Sequence, residues 1–209
     1  MWTLFKAGGP VMWPILVCSI LGLAVVINRF TAFAVYQMRV SAGAADCRRI
    51  IELVSLGKFE EALELARKTQ GAVSRIYLFA LMSREYNLHD SLILAAQKEI
   101  DRLRRNLSLL DTVITVAPLL GILGTVTGII GSFNMLNAQG IDNPAGVTGG
   151  IAEALITTAA GLIVAIAALL PFNFSISWIK RRTNELEQIT HAFELAYQKG
   201  MTSEPEVRV

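Results

Sequence analysis

The chain has 209 residues, of which 53% are hydrophobic and 17% charged, with a formal net charge of +2 and a mean hydropathy of +0.50. A soluble domain carries roughly 25% charged residues, so the composition points away from a soluble protein and toward a membrane one. The small positive surplus has no basic patch behind it, which speaks against nucleic acid as a partner.

Residues 1–10 form a short N-terminal stretch, and residues 11–35 are apolar enough for a first crossing, which takes about 20 residues. The run does not look like a cleaved signal peptide. Lys6 is the one positive charge ahead of it, no small-x-small site follows it, and Val17 before Cys18 spoils a lipoprotein site. The segment is therefore expected to stay as a mature helix, with Arg29 snorkelling from its inner end.

Residues 36–108 carry most of the charge and read as helices separated by turn residues. AADCRRIIELVSLG keeps Ile50, Leu53 and Val54 on one face and stops at Gly57. KFEEALELARKTQG does the same with Phe59, Leu63 and Ala66 and stops at Gly71, which together predicts a helical hairpin. A third helix is expected from about Ala72 to Tyr86, followed by a break at Asn87 with a new N-cap there or at Asp90. From Asp90 neither Pro nor Gly appears before Pro118, so one continuous helix of about 70 Å is expected from Asp90 to Leu136, partly outside the membrane.

The second span covers residues 109–138. In APLLGILGTVTGIIGSF small or hydroxylic residues recur every three or four positions, among them Gly121, Gly124, Thr125 and Gly128. Such a face lets another helix approach closely. After a loop over residues 139–149 the third span, residues 150–178, repeats the device with Ala154, Thr158, Gly161, Ala165 and Ala168. Gly121, Gly124, Gly128 and Gly161 are thus the expected helix-packing positions.

One carboxylate, Glu153, interrupts this third run. A charged side chain at mid-membrane costs about 2.5 to 3.5 kcal/mol, so an acid there is a functional candidate by default. Its position, about 5 Å beyond Gly150 along a helix, also admits a bland account as an interface carboxyl bonded to a neighbouring backbone. Around the helix Thr157 lies about 40° from Glu153 and Thr158 about 140°, so the wheel favours Thr157 as its companion.

Charge sets the expected orientation. Of nineteen Lys and Arg, twelve lie between Arg39 and Arg105 and five between Lys180 and Arg208, while the loop around Gln139 to Gly150 has none. By the positive-inside rule the middle segment and the tail over residues 179–209 are cytoplasmic, and the N-terminus and the loop holding Asp142 are periplasmic. The fold expected is all-α: three transmembrane helices, a cytoplasmic helical hairpin domain, and long helices projecting into the cytoplasm. Cys18 and Cys47 fall in different phases and form no disulfide. With only His89 and His191 there is no basis for a metal site, and no cofactor, nucleophile–base pair or phosphate loop suggests an enzyme.

APLLGILGTVTGII followed by GGIAEALITTAAGLIVAIAALLPFNF, with three spans in this order and a cytoplasmic hairpin, resembles the MotA/TolQ/ExbB proton channel family. Three spans and a glutamate in the third are more similar to ExbB and TolQ than to MotA, which has four spans. The resemblance implies a bacterial inner-membrane protein in which five copies form a ring with the second and third spans lining a pore. That pore would hold two helices of a single-span partner of the ExbD or TolR type bearing a proton-carrying aspartate, with a TonB-like protein as a further partner and membrane lipid around the ring. Carried over by motif, the family's polar pore positions fall on Thr125 in GTVTG, Glu153 in GIAEAL and Thr158 in ALITT. Here the resemblance and the wheel differ, and Thr157 stays open beside Thr158. The chain also departs from ExbB in having Ala167 where ExbB has a proline, its own proline following at Pro171, so any kink is expected about one turn later. The rival from another class is a passive oligomeric scaffold, which has no need of Thr125, Glu153 and Thr158.

Overall fold

The computed structural model describes residues 2–83, 87–139 and 144–203. Every regular element in them is an α-helix: α1 Trp2–Ala7, α2 Met12–Ser55, α3 Phe59–Lys68, α4 Ala72–Met82, α5 Leu88–Arg104, α6 Leu107–Gln139 and α7 Pro144–Ser203. The expected outer-loop acid Asp142, the expected helix end at Tyr86 and the tail at Arg208 lie outside the described residues. Three stretches are long and apolar enough to cross a membrane: Met12–Met38, Leu107–Asn137 and Thr148–Thr202. Their outward faces carry bare Leu and Ile side chains, Leu23, Leu119 and Leu155 each being more than 60% exposed. Apolar area on that scale is unfavourable in water and ordinary in hydrocarbon.

The chain divides into two compact units. The first joins Met1–Arg29 to Asn106–Ser175. Its core is formed by Val25 of α2, Leu110 and Val113 of α6 and Ala168 of α7, flanked by Cys18, Ile114, Val164 and Phe172. Short side chains at the crossings let these helices approach closely; a methyl group at Gly22 would lie 3.3 Å from Val113.

The second unit joins Phe30–Arg105 to Ile176–Val209. Gly57, at φ 74°, turns α2 back into α3, and the faces carrying Ile50 and Val54 on one helix and Phe59, Ala62 and Ala66 on the other close on a shared core. Leu53 and Leu63 pack only at its edge. The far part of α7 also enters this core: Phe193 stacks on Tyr77 with ring centroids 4.4 Å apart, and Leu186 is buried beside it. Burial pushes the Tyr77 phenol well above its usual range, so it stays neutral at any physiological pH.

One buried charge ties α4 to α5. Glu99 is 6% exposed and accepts from Arg75 Nε at 2.9 Å, Arg75 Nη2 at 2.6 Å and Arg102 Nη1 at 2.6 Å. The bond to Glu99 raises the Arg75 guanidinium above its ordinary value. Charge-assisted pairs of this kind contribute about 1.5 to 3 kcal/mol. Glu99→Ala is expected to cost about 2 kcal/mol, read as faster hydrogen exchange in α4 and α5 with α6 unaffected.

Helix boundaries differ from the sequence reading in several places, and α4, expected to run to about Tyr86, ends at Met82 with Ser83 as its C-cap. The segment from Asp90 to Leu136 is two helices, because Arg105 at ψ 138° and Asn106 at φ 65° break the chain between α5 and α6. Asn is among the few residues that take the left-handed conformation readily. The N-cap of α5 is Asn87, whose side-chain oxygen accepts from the Asp90 backbone N–H at 3.3 Å while its amide donates to the Asp90 carboxylate at 2.8 Å. Second, α2 runs unbroken through residues 36–43; Gly43 interrupts nothing and lies where a methyl would come within 2.9 Å of the Gln70 carbonyl. Third, α7 begins at Pro144, inside the expected loop, with proline in the first helical position it favours. It continues through Pro171 to Ser203, and the Ser175 hydroxyl donates to the Pro171 carbonyl at 2.7 Å.

Candidate functional site

The site lies in the first unit, on the seam between α6 and α7. Glycines set how close the two helices come. A methyl on Gly128 would lie 2.8 Å from the Gly150 carbonyl oxygen, and one on Gly121 would lie 3.0 Å from the Thr158 Cα. At Gly124 it would overlap the Thr157 side chain, and at Gly161 the Ala117 carbonyl. At three of these four glycines backbone meets backbone, over about three turns, as in small-xxx-small packing.

Close approach brings hydroxyls of one helix onto carbonyls of the other. The Thr158 hydroxyl donates across the seam to the Gly121 carbonyl at 2.9 Å, and the Thr125 hydroxyl lies 3.2 Å from the same oxygen and 3.5 Å from the Ala154 carbonyl. The two hydroxyls also bond directly to one another. Each carries a single hydrogen. If Thr158 donates to Gly121, Thr125 donates to Thr158; if Thr125 donates to a carbonyl, Thr158 can donate to Thr125. The pair therefore has two hydrogen-bond directions over the same heavy atoms. Both side chains are half-buried, and Thr125 borders a groove of about 270 Å³ lined otherwise by Ile129, Ser132, Phe133, Ile151, Ala154 and Leu155.

Thr157 sits differently. It is fully buried against Gly124, and its hydroxyl points back along its own helix, 3.1 Å from the Glu153 carbonyl and 2.9 Å from that of Ala154. Such back-bonding satisfies a hydroxyl locally.

Glu153 stands apart from the threonine pair. Its half-buried side chain leaves α7 on another side and lies against Gly9, in the turn joining α1 to α2. The structure therefore brings Thr125 and Thr158 together and places Glu153 about 7.5 Å further along the helix axis, beside a segment in which sequence reasoning singled out no residue. Gly-Gly-Pro at residues 8–10 was the available signal. Asp111 is exposed near the start of α6. Among the described residues no group of three His, Cys, Asp or Glu could hold a metal ion; His89 lies 3.2 Å from Glu194 in the second unit.

The family model described as the MotA/TolQ/ExbB proton channel family matches residues 62–188. An ExbB-like biopolymer transport protein of Synechocystis sp. is 38% identical over 205 residues, covering 93% of this chain and 78% of that one. A second ExbB-like protein of Synechocystis is 36% identical over 203 residues, covering 92% and 93%. The biopolymer transport protein ExbB of Neisseria meningitidis serogroup B is 29% identical over 208 residues, covering 90% of this chain and 92% of its own.

Proposed function

The chain belongs to the MotA/TolQ/ExbB proton channel family, and from that premise we propose that it is the ring-forming subunit of a proton-driven motor of the ExbB/TolQ type. Five copies surround the single-span helices of an ExbD- or TolR-like partner in a bacterial inner membrane. Proton flow through that assembly does mechanical work toward the outer membrane, in TonB-dependent transport ahead of envelope constriction or motility. The chain has no enzymatic role of its own in this reading.

The observation that carries the proposal is the Thr125–Thr158 pair, two hydroxyls bonded to one another and converging on one carbonyl of the α6–α7 seam. A hydroxyl pair able to reverse its bond direction can hand on a proton or steady a neighbouring carboxyl. Glu153 supplies a carboxyl nearer the outer end, and the partner's aspartate does the carrying. Each proton gains about 2.3 kcal/mol per 100 mV of membrane potential, which over a few protons suffices to move a partner helix against the ring.

Thr158→Val keeps the shape and removes the hydroxyl. In liposomes holding this chain and its partner it is expected to lower proton uptake by on the order of tenfold. Unchanged uptake would return the threonines to plain helix packing and remove the observation that carries the proposal. Orientation has its own test. In a background without Cys18 and Cys47, Gln139→Cys and Asp142→Cys are expected to react with an impermeant thiol reagent added to the periplasmic side, while Lys68→Cys and Gln198→Cys stay unlabelled. Labelling at Lys68 in intact cells would overturn the three-span orientation.

A further inference from the structure

The Glu153 carboxyl lies against the turn between α1 and α2. The turn between α1 and α2 is Gly8-Gly9-Pro10, and its two glycines lie on successive residues of one α7 ridge. A methyl on Gly8 would approach Ile156 Cγ2 to 3.2 Å, and one on Gly9 would overlap the Glu153 carboxyl and come within 3.3 Å of its Cγ. Glu153 and Ile156 are three apart, so they are neighbours on the helix surface. The bare backbone of Gly9 thus occupies the place next to the carboxyl that any other residue would contest.

The turn is built to stay where it is. Gly9 has φ 65°, a conformation that favours glycine, and Pro10 fixes the next residue. The backbone N–H of Gly8 donates to the Phe5 carbonyl at 3.3 Å and that of Gly9 to Lys6 at 3.4 Å, while Met12 donates back to Gly9 at 3.2 Å. Phe5 meets Trp13 edge to face with ring centroids 5.3 Å apart, tying α1 to the first turn of α2. Val11 and Ile15 are buried behind it. Among the described residues the Glu153 carboxyl accepts no hydrogen bond, so it is shape that holds the side chain.

We propose that Gly9 is a positioning residue for Glu153, seating the carboxyl through the bare backbone of the α1–α2 turn so that the N-terminal segment sets where this acid stands in the proton path. The inference rests on the reading of Glu153 as a proton-handling group. A displacement of about 1 Å at a reacting group costs on the order of a hundredfold in rate, so even a methyl at Gly9 has a functional consequence.

The test is a double-mutant cycle between positions 9 and 153 in the full-length protein with its partner. Gly9→Asn is the central variant, because asparagine tolerates positive φ and separates the added side chain from backbone strain; Gly9→Ala accompanies it. Two readouts are taken. The first is proton uptake into liposomes. The second, which needs no flux, is the rate at which dicyclohexylcarbodiimide labels Glu153, followed by mass spectrometry. With Glu153 present, Gly9→Asn is expected to lower uptake by at least about tenfold and to change the labelling rate severalfold. With Glu153→Asp, whose carboxyl is one methylene shorter and withdrawn from the turn, adding Gly9→Asn is expected to cause no further loss. An equal loss in both backgrounds, or an unchanged labelling rate, would overturn the inference. If the unsubstituted chain and partner pass no protons, the proposed function fails, while the labelling arm still decides whether Gly9 positions Glu153.

Discussion

Glu153→Ala is expected to lower proton uptake by the chain and its partner by about a hundredfold or more, while the protein still inserts and assembles. The two halves of this expectation have separate causes. Alanine is easier to place in hydrocarbon than a carboxyl, whose charged form costs about 2.5 to 3.5 kcal/mol at mid-membrane, so insertion gains if anything. The side chain lies against the Gly9 turn and outside the α6–α7 seam, so its removal leaves the glycine contacts between those helices in place. What is lost is the only carboxyl within residues 109–178 other than Asp111 and Asp142. Uptake in Glu153→Ala equal to that of the unsubstituted protein would make the acid structural.

The second large effect is a change of sign between two glycines. Gly161→Ala is expected to destabilise the first unit by about 2 kcal/mol, because the new methyl overlaps the Ala117 carbonyl, a backbone atom that cannot step aside. The helices must separate, and the Thr158 bond to Gly121 lengthens with them. Gly131→Ala, three residues beyond Gly128 on α6, meets nothing within 4 Å. It is expected to stabilise by up to about 1 kcal/mol through helix propensity alone. Thermal unfolding in one detergent reads both; equal shifts for the two variants would mean that the seam is not the tight contact described here.

The spans were legible because hydropathy over about 20 residues leaves few alternatives, and the hairpin because Gly57 stands between two faces of helical period. The break at Arg105–Asn106 was hidden, since one left-handed asparagine in a polar helical run has no stronger mark than any other asparagine. The run through residues 36–43 was hidden because the apolar stretch ends near residue 35, while Gly43 sits inside the helix where it allows a close approach to Gln70. At the site, the wheel set angles around one helix and left its neighbours unspecified. It set Thr158 about 140° from Glu153, and the structure places the two residues on different contacts, Thr158 with Thr125 and Gly121, Glu153 with Gly9. Thr157, nearer to Glu153 around the helix, spends its hydroxyl on its own backbone. A single helix wheel does not say which neighbour covers which face, and that is what decided these positions.

The account turns on two components, and the inventory of this chain shows why. Inward of Thr158, α7 offers only apolar and small residues from Ala160 to Leu170, about 15 Å of helix without a group that binds a proton. On the α6 side Thr125 lies level with Thr158, and the stretch facing Ala160 to Leu170 adds the hydroxyls of Thr112 and Thr115 with Asp111 near its inner end. In the proposed mechanism a mobile carboxyl from a second protein bridges the gap. The most direct measurement is proton uptake by liposomes under an imposed gradient, containing the purified chain with and without a single-span partner bearing an aspartate in its span. The account predicts no uptake above that of empty liposomes from the chain alone, and rapid uptake with the partner. Rapid uptake by the chain alone, removed by Glu153→Gln, would contradict it and make this protein a channel in its own right.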